Sequence, residues 1–318
     1  MKAAALLPDV VHAPEVAAAP AAPALAPGRF ADYLALTKPR VAVLVLFTVA
    51  AGVLLAAGRD VQLGVLLHTV FGTALVAAGA SALNQWLERH SDARMRRTEN
   101  RPLPAGRLAP VEVLTFGCLL GVAGVAYLAL ALNQPCAALV AAFTFACYVG
   151  VYTPLKARTP LNTLVGAVPG ALPPVIGWCA VRGAVTAEAV ALFVILFLWQ
   201  VPHFLAIAWI YRDQYARAGL RMLPTVDPDG RLTARHMVTY CLALLPASLG
   251  PVLLGEAGLI YLAGAVVLGL VFLASALGFR RLHSPRQARL VLRASLTYLP
   301  GLFALMLADR ALPWLLGL

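Results

Sequence analysis

Long apolar runs broken by short charged segments constrain this chain more than any single residue does. Runs near bilayer-spanning length, about 17 to 25 residues, lie near 41–57, 62–85, 111–131, 136–152, 161–181, 189–211, 237–254, 258–279 and 295–316. No water reaches the bilayer core, so such runs must satisfy their backbone hydrogen bonds internally, as helices. With 61% hydrophobic and 12% charged residues over 318, and a mean hydropathy of +0.82, the chain is too apolar for an ordinary soluble domain. The expected fold is all-α: a polytopic membrane protein of nine transmembrane helices, the last interrupted at Pro300 and Pro313.

The net charge of +11 raises the question of a polyanionic partner. Threading nine spans answers it. Of the 25 Lys and Arg residues, only Arg59, Arg182 and Arg310 fall on one face, and all the others fall on the opposite one. That asymmetry is the positive-inside signature. It predicts a cytoplasmic N-terminus and accounts for the basic excess without nucleic acid. Residues 1–28, rich in Ala and Pro, read as a flexible tail, and 29–318 as the membrane domain. The tail lacks the apolar core of a signal peptide and is too poor in Arg and Ser for an organelle transit sequence, which favours a bacterial cytoplasmic (inner) membrane. Cys118, Cys136, Cys147, Cys179 and Cys241 all lie in or beside apolar runs with no C-x-x-C pair, and read as small buried side chains.

The segment "NQWLERHSDARMRRTENRPLPAGR" carries three acidic side chains and six arginines between two apolar runs. Asn84, Glu88 and Asp92 are spaced i, i+4, i+8, so they share one face if the second helix continues past its apolar end. An amide oxygen and two carboxylates in a row suit a hard divalent cation such as Mg²⁺, which keeps its other positions for phosphate oxygens and water. Arg94, Arg96, Arg97 and Arg101 bring charge of the right sign for those phosphates. The same mixture also fits a solvated loop of local salt bridges.

A second segment, "WIYRDQYARAGLRMLP", puts Tyr211, Asp213 and Tyr215 among arginines at the same face. "RPLPAGRLA" from Arg101 and "RMLPTVDPDGRLT" from Arg221 share R-x-L-P followed by G-R-L, the pattern of a degenerate internal repeat. Two such loops suit a single diphosphate gripped from both sides, its lipid-like tail lying between the helices.

Together with "YTPLKARTPLNTLVGAVPGALPPVIGW" and "WQVPHFLAIAWI", these segments resemble the UbiA superfamily of intramembrane prenyltransferases, within it the haem-modifying branch, from about residue 34 onward. The resemblance implies a nine-helix bundle with two aspartate-rich motifs that hold Mg²⁺ and a prenyl diphosphate. It implies farnesyl transfer from farnesyl diphosphate to a vinyl group of haem B, with water added, to give haem O for terminal oxidases. Membrane lipid is an implied partner, and a haem A synthase or oxidase assembly proteins are candidate ones. The chain departs from the superfamily pattern in two places. Gln85 follows Asn84 where an aspartate is usual, and Tyr211 and Tyr215 stand where the second motif has aspartates, with Asp213 between them. Metal binding is therefore expected at Asn84, Glu88 and Asp92, with Asp213 as a weaker catalytic contributor. Arg94, Arg97, Arg101, Tyr211 and Tyr215 are expected at the diphosphate, and Lys156 either there, at a haem propionate or at a membrane-anchoring position. His203, a titratable group at membrane depth, reads either as a haem-binding residue or as a histidine bonded to a neighbouring helix. Another aromatic acceptor, or a non-catalytic transporter or lipid-binding protein, are the competing readings.

Overall fold

The computed structural model describes residues 28–315. The expected tail, 1–28, lies outside the described residues except for Gly28. Among the described residues, nine helices are long and apolar enough to cross a membrane: Pro39–Ala57, Leu63–Asp92, Pro110–Leu132, Pro135–Leu155, Asn162–Arg182, Ala187–Ile210, Arg231–Leu253, Leu259–Leu282 and Pro285–Ala311. The protein is a multi-pass membrane protein, all-helical among the described residues.

Three helix boundaries outrun the apolar runs. The second span extends to Asp92, the seventh starts at Arg231, and the ninth starts at Pro285. Long arginine side chains explain the last two, because they follow the stem of a helix while keeping their charge at the interface. The interruption expected in the ninth span is absent: its helix runs through Pro300 and Pro313 to Leu315. Proline removes one ladder bond, a loss that a bundle of neighbouring helices tolerates.

The fifth span is the most buried of the nine, 67% of its apolar stretch lying inside the protein. Small residues let its neighbours approach. A Cβ on Gly177 would lie 2.1 Å from the Val49 carbonyl oxygen, so the first and fifth spans touch backbone to backbone. The second and third spans meet in the same way, a Cβ on Gly79 reaching to 2.6 Å from the Gly117 oxygen. Lipid offers no hydrophobic drive for helices to associate, so close packing at small residues carries the contact.

Two irregular segments shape the charged face. The short helix Arg29–Leu36 lies against the second span: Gln85 Nε2 donates to the Leu36 oxygen at 2.9 Å, and Arg107 Nε donates to buried Asp32 at 2.8 Å. The chain then turns at Lys38, in the left-handed region at φ 48, and enters the first span at Pro39. Further along, the fourth span changes from α-helix to a π-helical turn at Cys147–Tyr152 before its last turn at Thr153–Leu155. Such turns are rare and cluster at functional sites.

Candidate functional site

Continuation of the second helix to Asp92 puts Asn84, Glu88 and Asp92 on one stripe, as their spacing requires. The stripe is nearly dry: Asn84 and Asp92 are each 1% exposed. Each of the three meets a cation. Lys38 Nζ donates to Asn84 Oδ1 at 2.9 Å, Lys156 Nζ lies 2.7 Å from Glu88 Oε1, and Arg101 Nη1 donates to Asp92 Oδ2 at 2.6 Å. Three basic side chains face the two carboxylates, so the centre is arranged to take up an anion.

Neighbouring elements fix these cations. The π-helical turn brings Thr153 to Asn84, whose Nδ2 donates to Thr153 Oγ1 at 3.3 Å, and it sets Lys156 4.5 Å from the centre of the Tyr152 ring. The Lys156 carbonyl accepts the Arg221 backbone N–H at 2.7 Å, and buried Asn162 donates to the Arg221 carbonyl at 2.9 Å. The second charged loop is thereby pinned beside the lysine. Burial, with Arg101 close by, pushes the Lys38 ammonium down to about 7, Glu88 opposing the shift. Burial opposes the charge on Lys156 too, but the adjacent Glu88 carboxylate, together with Tyr152 and Tyr148, outweighs that cost and holds its pKa well above the ordinary lysine value.

Below the stripe runs a cavity of about 160 Å³, with Lys38, Ser81 and Tyr148 towards its charged end and Val76, Thr73 and Ile176 deeper. Its wall is mostly apolar. Its geometry suits a ligand with an anionic head at Lys38 and a hydrocarbon tail between the helices.

The stripe also fits a hard divalent cation. It offers an amide oxygen and two carboxylates, and Asp92 Oδ1 is buried with no hydrogen-bond partner in the structure. Among the described residues no three His, Cys, Asp or Glu side chains converge to cage a metal. A cation here would complete its shell with ligand phosphates and water, the usual habit of Mg²⁺.

The expected second-loop residues divide. Arg97 bridges the two loops: its backbone N–H donates to Gln214 Oε1 at 3.3 Å, its guanidinium donates to the Tyr215 hydroxyl at 3.1 Å, and its plane lies 4.7 Å from the Tyr211 ring centre. Tyr215 adds an apolar contact to Met95, Ala218 and Leu220. Asp213 does not join this group. Its side chain is 84% exposed and lies 3.5 Å from Arg212 Nε. Tyr211 and Tyr215 are four apart and share a side, whereas a residue two positions on points elsewhere. Arg94 is exposed on the loop surface. His203 faces the ninth span rather than the cavity, its Nδ1 2.8 Å from Ser295 Oγ and its ring stacked on Trp199 at 4.9 Å. Of the bulky aromatics, Tyr148 lines the cavity, while Trp178, Trp199 and Trp209 are buried packing groups.

Lys38 and Thr153 enter the site without having been singled out from the sequence. The only local signal for Lys38 is a lysine held just before Pro39 at the mouth of an apolar span.

Comparison with known proteins identifies the family. The model of the UbiA prenyltransferase family matches residues 45–307. A protoheme IX farnesyltransferase of Solibacter usitatus (strain Ellin6076) is 49% identical over 288 residues, covering 88% of this chain and 98% of that protein. A solved structure concerning digeranylgeranylglyceryl phosphate synthase in membranes superposes with a TM-score of 0.74 at 16% identity, over 89% of this chain and 98% of the other. A UbiA homologue from Archaeoglobus fulgidus bound to GPP and Mg²⁺ has a TM-score of 0.58 at 18% identity, over 86% and 99%.

Proposed function

The chain belongs to the UbiA prenyltransferase family, and from that membership we propose that it transfers the farnesyl group of farnesyl diphosphate to a vinyl group of haem B, with addition of water, giving haem O. Identity of 49% over 288 residues with the Solibacter protoheme IX farnesyltransferase supports the choice of donor and acceptor. The observation that carries the chemistry is the apolar cavity headed by Lys38, directly beside the Asn84, Glu88 and Asp92 stripe.

Lys38, Lys156 and Arg101 hold the diphosphate and stabilise the charge that grows on it as the allylic carbon–oxygen bond breaks. Asn84, Glu88 and Asp92 would hold Mg²⁺, which supplies further neutralisation of the departing diphosphate oxygens. The cavity keeps bulk water from the allylic cation until carbon–carbon bond formation. The Tyr148 ring lines the charged end of that cavity and favours a cation there. Attack by the electron-rich vinyl carbon leaves positive charge on the carbon next to the porphyrin ring, and water adds at that carbon and gives up a proton to the released diphosphate, leaving the hydroxyl. No side-chain nucleophile is needed. The arginine-rich face is cytoplasmic in this proposal, the membrane is the bacterial cytoplasmic one, and the catalytic unit is the helical domain from residue 29 onward.

Incubating the purified protein with farnesyl diphosphate, haem B and Mg²⁺ tests the proposal, with a chelator as control. A metal-dependent mass gain of a farnesyl and a hydroxyl group on haem is the expected result. Consumption of farnesyl diphosphate with haem unchanged would leave prenyl transfer standing and overturn the acceptor.

A further inference from the structure

On the face opposite the arginine-rich loops, two cysteines from different spans meet. Cys136 is the second residue of the fourth span and Cys179 lies three residues before the end of the fifth, and their Sγ atoms are 3.0 Å apart. Cys179 is fully buried, while Cys136 is partly open. The adjoining turns also touch, since a Cβ on Gly183 would lie 2.5 Å from Gln134 Oε1. Prenyl transfer uses neither thiol, and both stand at the far end of the bundle from Glu88 and Lys156. The other three cysteines, Cys118, Cys147 and Cys241, are not drawn into this pair.

We propose that Cys136 and Cys179 are a covalent modification site, joined as an intramolecular disulfide. The distribution of basic residues puts this end of the bundle outside the cytoplasm, where disulfides form and persist. The oxidant is a disulfide of that compartment, carried by a protein or by glutathione. The Cys136 thiolate, the reachable one, attacks a sulfur of that disulfide and displaces one thiol, leaving a mixed disulfide. The Cys179 thiolate then attacks the Cys136 sulfur and releases the second thiol. Two protein thiols thus lose two protons and two electrons, and the oxidant's S–S bond is reduced to two thiols.

The bond has a structural consequence for the cavity. The fourth span contributes Thr144, Phe145 and Tyr148 to its wall, and the fifth contributes Pro169, Pro173 and Ile176. A covalent link at the outer end of both spans fixes the spacing of those two walls.

The test uses full-length protein in its native membranes, denatured in detergent with excess N-ethylmaleimide, then reduced and treated with a maleimide-bearing polymer. The expected result is a gel shift of two polymer labels, mapped by peptide mass to Cys136 and Cys179, with N-ethylmaleimide on Cys118, Cys147 and Cys241. Finding N-ethylmaleimide on all five cysteines overturns the proposal, and so does a pair of labels on any other two. In Cys136→Ser both labels must vanish and Cys179 must become reactive at the first step. Two labels surviving in that variant would equally sink the assignment. The wild-type peptide map decides the matter even if the variant fails to accumulate.

Discussion

Lys156 and Glu88 form an ion pair of 2.7 Å in which both side chains are largely buried, 14% and 11% exposed. Removing one partner strands the other charge in a dry site, a loss of about 3–5 kcal/mol. Lys156→Met is therefore expected to unfold at a clearly lower temperature and to lose turnover. The double variant Glu88→Gln with Lys156→Met should recover most of the stability and none of the activity. Thermal unfolding in detergent, followed by a turnover assay, checks both halves. Recovery of activity with stability would make the pair structural only.

Asp92 keeps one carboxylate oxygen for Arg101 and leaves the other buried and unclaimed. Asp92→Asn preserves size and a hydrogen-bond acceptor while removing the charge a divalent cation needs. The Mg²⁺ concentration for half-maximal activity should rise by about 10- to 100-fold. A metal titration of the variant that superimposes on the wild-type curve would remove Asp92 from the metal site.

Arg97 and Asp213 stand close in the folded loops yet differ in what they touch. Arg97→Ala loses the Tyr215 hydrogen bond and the Tyr211 face at once, so the two loops should part and KM for the prenyl diphosphate should rise by about tenfold, consistent with 1–2 kcal/mol. Asp213→Asn changes an exposed group, and surface changes of this kind usually stay within about 0.5 kcal/mol. Steady-state kinetics on the pair separates the two roles, and a collapse of turnover in Asp213→Asn would place that carboxylate in the chemistry.

Val76 lies eight residues before Asn84 on the same helix and lines the cavity, about 12 Å below the amide at 1.5 Å per residue. A bulkier side chain there should block the distal part of a farnesyl tail and spare a shorter donor. Val76→Phe is expected to lower turnover with farnesyl diphosphate by about tenfold relative to geranyl diphosphate, which is 1.4 kcal/mol of discrimination. Competition between the two donors measures this directly, and equal losses would put the tail elsewhere.

The helical spans and the Asn84, Glu88 and Asp92 stripe were legible because both are local patterns, a run of apolar residues and a spacing of four. What binds that stripe is not local. Lys38 reaches Asn84 across 46 positions of sequence, and Thr153 meets it across 69. No periodicity reports such pairs. The second loop was less legible: Asp213 reads from sequence as a weaker catalytic contributor, and the short helix Arg212–Arg217 brings Tyr215, with Tyr211 just before it, to Arg97 while Asp213 stays exposed. His203 shows the same limit, because its polarity at membrane depth was visible while its partner Ser295, 92 positions later, was not. Pro300 was over-read as a break, since the surrounding spans support a helix that proline alone would weaken.

The π-helical turn at Cys147–Tyr152 acts as a phase adjuster for the fourth span. A π turn accommodates one extra residue in the helical winding, and one residue of α-helix is about 100° of rotation. Everything after it, Thr153 and Lys156 included, is dialled round relative to Thr144 and Phe145 before it. The membrane-embedded part of the span can therefore be angled for the hydrocarbon tail while its end is angled for the charged head. Deleting one residue from the turn would leave the composition and length of the span almost untouched, yet swing Lys156 off Glu88 like a key cut one notch out of register.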